Sequence, residues 1–97
     1  MLCPTPRERL VDAKGRPTFL WDCDLTLDEL SERIASEDKE VRGYWLGTVM
    51  RQAKPDDALQ FASPREMRAD WASVAPYLGR TLPFWKWYLE EMEKLGR

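Results

Sequence analysis

The sequence has 97 residues, of which 43% are hydrophobic, 33% charged and 11% aromatic, a composition typical of one small globular domain spanning residues 1–97. It contains no histidine, which excludes Cys/His zinc sites and catalysis that depends on an imidazole base. The formal net charge is −2. No apolar run approaches the ~20 residues of a membrane span, so we expect a cytoplasmic protein. In that compartment Cys3 and Cys23 are expected to be reduced thiols.

The N-terminal part of the chain is predicted to be extended. The chain opens with Pro4 and Pro6, a short helix around Arg7–Ala13 remains open as an alternative, and Lys14–Pro17 is expected to form a turn or an extended entry. We expect residues 1–15 to be more loosely ordered than the rest of the domain. Phe19–Trp21 is apolar and follows Pro17, so it is predicted to pack as an extended segment across the helices.

A first helix is predicted to begin after Thr26. Thr26 and Glu29 form a capping box, in which the hydroxyl accepts from the Glu29 amide and the carboxylate accepts from the Thr26 amide. Apolar residues then recur at helical spacing and predict the buried face, namely Leu27, Leu30 and Ile34.

A second helix is predicted from about Lys39 to Ala53. Apolar residues recur along it at intervals of four, at Val41, Trp45 and Val49. Gly43 and Gly47 have no side chain, so they are expected to permit close packing by a neighbouring element. Pro55 is expected to end the helix.

The remaining residues predict further helices. Ser63 and Glu66 form a second capping box, and Pro76 is expected either to kink the following helix or to lie near the start of a new one. Thr81 is expected to cap the last helix, whose apolar face comprises Leu82, Trp85, Leu89 and Met92. The predicted fold is therefore all-α, a compact bundle of four to five short helices with an extended N-terminal segment.

One motif suggests an enzyme. Asp22, Asp24 and Thr26 resemble the D-x-D-x-T signature of haloacid-dehalogenase-type phosphatases, in which the first aspartate attacks phosphorus and magnesium bridges the carboxylates. Lys54, with the acids after it, could imitate the family's lysine and paired acids. That chemistry requires a parallel α/β sheet, whereas this chain supplies one apolar tripeptide followed by helices. We therefore predict no enzyme activity, no metal and no cofactor.

Two stretches resemble a family of small bacterial helical proteins of unassigned function: Arg16–Asp22, which reads R-P-T-F-L-W-D, and Leu78–Trp85, which reads L-G-R-T-L-P-F-W. The resemblance covers roughly residues 16–89, and its Trp21-Asp22 and Trp85 positions match. Members are often encoded beside nucleotidyltransferase-type toxins of the abortive-infection class. The resemblance implies an antitoxin or an accessory partner of such a toxin, and it carries over no catalytic residue.

The charge distribution suggests where a partner binds. From Trp21 to Glu40, eight acidic residues are set against Arg33 and Lys39, which gives this segment a net charge of −6. Such a segment could occupy a basic substrate face, although a run of acidic residues is also typical of a solvated helix face. Large aromatic rings are the usual anchors of an interface. The candidate partner-binding residues are Trp21, Asp22, Asp24, Asp28, Glu29, Glu32, Trp85 and Trp87.

Two other functions remain open at this point. A helix-turn-helix DNA-binding regulator would use the helix that begins at Ser63, with Arg65 and Arg68 near its start and Arg80 beyond it. A self-associating structural module would instead pair the Trp-rich C-terminal helix with its own copy.

Overall fold

The computed structural model describes Pro6, Val11 and residues 25–97. Residues 25–97 contain no strand and form six helices: α1 (Leu27–Ile34), α2 (Lys39–Gln52), α3 (Pro55–Ala58), α4 (Pro64–Ala69), α5 (Trp71–Val74) and α6 (Leu82–Lys94). Since α3 and α5 are single turns, four longer helices make up most of the bundle, and the all-α prediction is confirmed. The expectations for residues 1–15 and for the extended segment Phe19–Trp21 lie outside the described residues.

Helix α1 forms as its sequence predicts. The Thr26 hydroxyl accepts from the Glu29 amide at 3.2 Å, and Glu29 Oε1 accepts from the Thr26 amide at 3.1 Å, so the capping box is confirmed. Its three predicted apolar residues are buried and face α2. The other side of α1 is therefore left to polar residues.

Helix α2 is the central element, and it packs against α1, α5 and the 3₁₀ turn Ala75–Tyr77. Its glycines allow this close packing, as predicted. A Cβ atom on Gly43 would lie 2.5 Å from Ser73 Cβ, and one on Gly47 would lie 2.8 Å from Tyr77 Cβ. Both distances are far below ordinary carbon–carbon contact, so no other residue fits at these positions without moving the neighbour.

The chain after Ser63 is more broken than the sequence indicates. The Ser63–Glu66 capping box is confirmed, with the serine hydroxyl accepting from the Glu66 amide at 3.1 Å. The helix then stops at Ala69, before Pro76 is reached, because Asp70 leaves helical geometry with φ −103° and ψ 17°. Pro76 lies in the 3₁₀ turn that follows α5.

A second 3₁₀ turn, Gly79–Thr81, leads into α6. The expectation that the Thr81 side chain caps this helix is wrong. Its hydroxyl donates to the carbonyl of Leu78 at 2.6 Å, and no side chain caps the first turn. The hydroxyl is engaged by the preceding turn, and Pro83 lies within the first two positions of α6, where its missing amide removes one of the donors that a cap would satisfy.

The core lies between α2 and the helices around it. Trp85 is its largest fully buried side chain, and the indole N–H donates to the carbonyl of Met50 at 2.9 Å. This bond fixes α6 against α2 and satisfies the polar atom of a buried ring. The buried apolar cluster around them includes Leu30, Leu46, Val49, Met67, Val74, Leu78 and Leu89.

Candidate protein-binding surface

The acidic segment lies on the surface of α1 and the start of α2. Between residues 25 and 40 there are six acidic and two basic side chains, a net charge of −4, and all eight residues are exposed. This exposure follows from the buried face of α1, because the positions between its apolar residues must point outward. Asp28, Glu29 and Glu32, predicted as partner-binding residues, are thus accessible to a partner.

Part of this acidic charge has a structural role. Asp28 and Glu29 lie in the first turn of α1, where negative charge interacts favourably with the helix dipole. Asp38 caps α2, and its carboxylate accepts from the Glu40 amide at 2.9 Å. Glu32 lies beyond the first turn of α1, so its negative charge has no role in capping the helix.

A shallow cavity of about 230 Å³ lies between α1 and the start of α2. Glu29 and Glu32 line it on the α1 side, and Val41 lines it on the α2 side. The guanidinium of Arg33, which also lines it, lies 5.2 Å from the centre of the Trp45 ring, within the range of a cation–π contact. The lining of the cavity therefore combines carboxylates with an apolar side chain.

Two exposed aromatic rings, one on α2 and one in the 3₁₀ turn Ala75–Tyr77, lie beyond this cavity. Tyr44 is 44% exposed and Tyr77 is 37% exposed, and their ring centroids lie 5.2 Å apart with an edge-to-face angle of 79°. Tyr44 also contacts Trp45 edge-on at 5.0 Å. Sequence reasoning did not select Tyr44, Tyr77 or Val41 as surface contacts. Val41 even belonged to the predicted apolar stripe, yet it is 36% exposed.

A partly buried ion pair fixes the position of α2. Arg42 Nε and Nη2 donate to the two carboxylate oxygens of Asp70 at 2.7 Å each, and Nη1 donates to the Ser36 carbonyl at 2.8 Å. These hydrogen bonds, aided by the positive charge, hold the pKa of Asp70 below its ordinary value of 3.8, although partial burial opposes the shift. The same contacts raise the pKa of Arg42. One guanidinium thus links α2 to the α1–α2 connection and to the α4–α5 junction.

The two tryptophans predicted on α6 have different environments. Trp87 is 56% exposed and lies near Phe84, which is 39% exposed and stacks on Tyr88 with 5.8 Å between ring centroids. Trp85 is only 1% exposed. Because Trp85 shares its helix face with buried Leu89, the structure corrects its assignment: this ring belongs to the core, and it is not accessible to a partner.

The arginines of the helix-turn-helix alternative donate hydrogen bonds within the chain. Arg65 Nη2 donates to the Gly96 carbonyl at 2.9 Å, and Arg68 donates to the carbonyls of Leu89 and Arg97. Arg65 and Arg68 therefore bind carbonyl groups of α6 and of the two residues that end the chain after it. Their helix, α4, has six residues, which is short for a recognition helix.

The remaining predicted residues, Trp21, Asp22 and Asp24, lie outside the described residues. Of the phosphatase-like motif, the Thr26 hydroxyl caps α1. Asp57, one of the two acids that follow Lys54, is 4% exposed and accepts from Gln60 Nε2 at 3.2 Å. Within the part of the chain that the structure describes, no three Cys, Asp or Glu side chains lie close enough to hold a metal ion. In the same part, no helix combines the length and apolar character needed to cross a membrane.

Comparison with known proteins gives no match to a family model, to a curated protein or to a solved structure.

Proposed function

We propose that this chain is a non-catalytic, cytoplasmic protein-binding module that acts as the antitoxin or an accessory partner of a nucleotidyltransferase-type toxin. The observation that carries the proposal is the exposed acidic surface of α1 and the start of α2, where all eight charged side chains of residues 25–40 are accessible. We infer the class of partner, a nucleotidyltransferase-type toxin, from the resemblance of Arg16–Asp22 and Leu78–Trp85 to the bacterial helical family.

Electrostatics supports a basic partner. A nucleotidyltransferase that modifies RNA needs a basic face for its substrate, and an acidic surface on a second protein can compete for that face. Complementary charges mainly increase the rate of association and fix the register of the complex. Glu32 and Glu37 suit this role because both are exposed and neither lies at the capped start of a helix.

The fold is consistent with a role that does not depend on catalysis. Residues 25–97 supply no strand from which a parallel sheet could present the D-x-D-x-T motif. Its threonine is the N-cap of α1, so the hydroxyl satisfies a helix amide. Both observations favour a binding function for the acidic residues that follow Thr26.

The test is co-purification with a nucleotidyltransferase encoded by an adjacent gene, followed by titration of the purified pair. At about 0.15 M salt, the variant Glu32→Lys/Glu37→Lys should weaken binding about tenfold or more, a loss of about 1.4 kcal/mol or more, because it places like charges against a basic face. The control Glu90→Lys/Glu93→Lys makes the same change of charge on α6, where it also removes the 3.9 Å contact between Glu93 and Arg68. Because charges are screened over about 8 Å at this salt concentration, the control should weaken binding less than about twofold.

Equal weakening by the two double variants would contradict the role of the acidic surface. Failure of the two wild-type proteins to associate would overturn the proposed function itself. Inhibition of nucleotide transfer to RNA by the bound module would identify an antitoxin, whereas binding without inhibition would identify an accessory partner.

Self-association is a second candidate function, and it is favoured by the exposure of Phe84 and Trp87 on one helix. Sedimentation velocity of the isolated chain would test it. A dimer that becomes a monomer in Phe84→Ser/Trp87→Ser would support it, and a monomer at about 100 µM wild-type protein would exclude it.

A further inference from the structure

Three exposed side chains form a continuous apolar strip next to the acidic surface. Val41 and Tyr44 are three residues apart on α2, which makes them neighbours on the helix surface. Tyr44 in turn contacts the ring of Tyr77. We call Val41, Tyr44 and Tyr77 the tyrosine strip. It contains three of the six large apolar residues that are exposed in the described part of the chain.

The tyrosine strip is held in place by the fold. Gly47 brings α2 so close to the 3₁₀ turn that an added Cβ would lie 2.8 Å from Tyr77 Cβ. Tyr44 is packed edge-on between Trp45 and Tyr77, so its ring has an aromatic contact on two sides. A surface that is already ordered loses little conformational entropy when a partner covers it.

Carboxylates border the part of this strip that Val41 and Tyr44 form. Glu29 and Glu32 line the same cavity as Val41. Glu40 lies four residues before Tyr44 and on the same side of α2, and it is exposed. An apolar strip with an acidic border is complementary to a segment that has apolar residues on one side and Lys or Arg beside them.

The ring cluster already binds one cation. Arg33 places its guanidinium 5.2 Å from the centre of Trp45, and Trp45 contacts Tyr44. Aromatic faces attract cations through their quadrupole, and arginine is the commonest such cation. This contact shows that a basic side chain packs against this group of rings.

We propose that the tyrosine strip is the docking site for a basic amphipathic helix of a partner protein. The partner's apolar side chains cover Val41, Tyr44 and Tyr77, while its Lys and Arg side chains reach the carboxylates of Glu29, Glu32 and Glu40. This inference rests on the proposed protein-binding function and deepens it, because it specifies which surface is covered and the chemistry of the segment that covers it.

The test uses a fluorescein-labelled helical peptide of about 18 residues, with Leu at helical spacing on one face and Lys or Arg elsewhere. Fluorescence anisotropy with the full chain should show binding that weakens at least tenfold between about 50 and 500 mM NaCl. A peptide of identical composition, with its order scrambled to abolish the apolar face, should bind at least tenfold more weakly. Equal binding of the two peptides would overturn the proposal.

Variants locate the binding site. Tyr44→Ser/Tyr77→Ser should weaken peptide binding at least tenfold, whereas Phe84→Ser/Trp87→Ser, which removes two comparably exposed rings from α6, should change it less than twofold. Tyr44→Phe/Tyr77→Phe keeps both rings and should retain binding. If Tyr44→Ser/Tyr77→Ser does not fold, Val41→Lys serves instead, since it puts a cation at the end of the strip that lines the cavity with Glu29 and Glu32. Loss of binding in the α6 variant with no loss in the strip variants would overturn the proposal.

Failure of this inference can be told apart from failure of the proposed function. If the nucleotidyltransferase binds the wild type and Tyr44→Ser/Tyr77→Ser equally well, the docking site is wrong and the proposed function stands. If no nucleotidyltransferase binds but the peptide binds and requires the tyrosine strip, the surface is right and the proposed partner is wrong.

Discussion

Replacement of Gly43 by alanine tests how tightly α2 packs against α5. On an ordinary helix, Gly→Ala stabilises by about 1 kcal/mol, because glycine loses more backbone entropy on folding. Here the new methyl group would lie 2.5 Å from Ser73 Cβ and 2.7 Å from the Ser73 carbonyl carbon. Two opposing effects therefore act at one position, and their magnitudes decide whether Gly43→Ala is more or less stable than the wild type.

The packing cost should exceed the helix-propensity gain. Carbon atoms attract best at about 3.5–4.0 Å, so the two helices must separate by about 1 Å, which sacrifices up to half of the dispersion energy across the contact. The obstacle includes backbone atoms, which no change of rotamer can move. Overpacking costs about 1–3 kcal/mol, and a value at the upper end leaves Gly43→Ala destabilised by about 2 kcal/mol. For a chain of this length, that loss lowers Tm by roughly 8–16 °C.

Urea denaturation and thermal melts followed by circular dichroism would measure the effect. The pair Glu90→Ala and Glu90→Gly, at an exposed position of α6, gives the helix-propensity difference in this protein. Gly47→Ala should be destabilised less than Gly43→Ala, because its closest neighbour is Tyr77 Cβ at 2.8 Å. Stability of Gly43→Ala equal to or above the wild type would refute the close packing of α2 on α5.

Three further changes probe the contacts that fix the helices. Asp70→Asn should lower the free energy of unfolding by about 2 kcal/mol at pH 7, since Arg42 loses its anionic partner. In the wild type, the pKa of Asp70 is lowered on folding, so the ion pair stabilises fully above the ordinary pKa of 3.8 and loses this contribution as the pH falls below that value. In urea titrations the stability lost in the variant should therefore shrink towards pH 2.5, and a loss that stays constant with pH would count against this pair. Trp85→Phe should lower the free energy of unfolding by about 2–3 kcal/mol in the same assay, because the Met50 carbonyl loses its donor and the smaller ring leaves a gap beside it. Unchanged stability would argue against the buried hydrogen bond. Ser63→Ala should lower stability by about 1 kcal/mol in thermal melts through loss of the α4 cap, and a variant as stable as the wild type would mean that the capping box contributes nothing.

The features that the sequence predicts correctly depend on residues close together in the chain. Both capping boxes, at Thr26 and Ser63, join groups three residues apart, so each can be read from a four-residue pattern. The inward face of α6 also follows from helical spacing, since Trp85 and Leu89 share a side and Trp87 lies off it. Trp87 was therefore the better candidate for the surface on the sequence alone.

The features that the sequence does not predict depend on contacts between distant residues. The helix after Ser63 breaks at Asp70, which pairs with Arg42, 28 positions earlier in the chain. The tyrosine strip requires Tyr44 and Tyr77 to meet, and they do so because Gly47 lets the 3₁₀ turn approach α2. No local pattern encodes either contact, because each arises only when α2 is already packed in the bundle.

The net charge of −2 understates the acidity that a partner would encounter at α1. Arg42 is neutralised by Asp70 at 2.7 Å, Arg68 donates to the Leu89 carbonyl within α6, and Arg65 donates to the Gly96 carbonyl beyond it. Residues 25–40, in contrast, carry a net charge of −4 on exposed side chains. Because salt screens charges over about 8 Å, a partner at α1 responds to this local charge and hardly to distant arginines. Binding at this surface should therefore be strongly salt-dependent although the chain as a whole is nearly neutral.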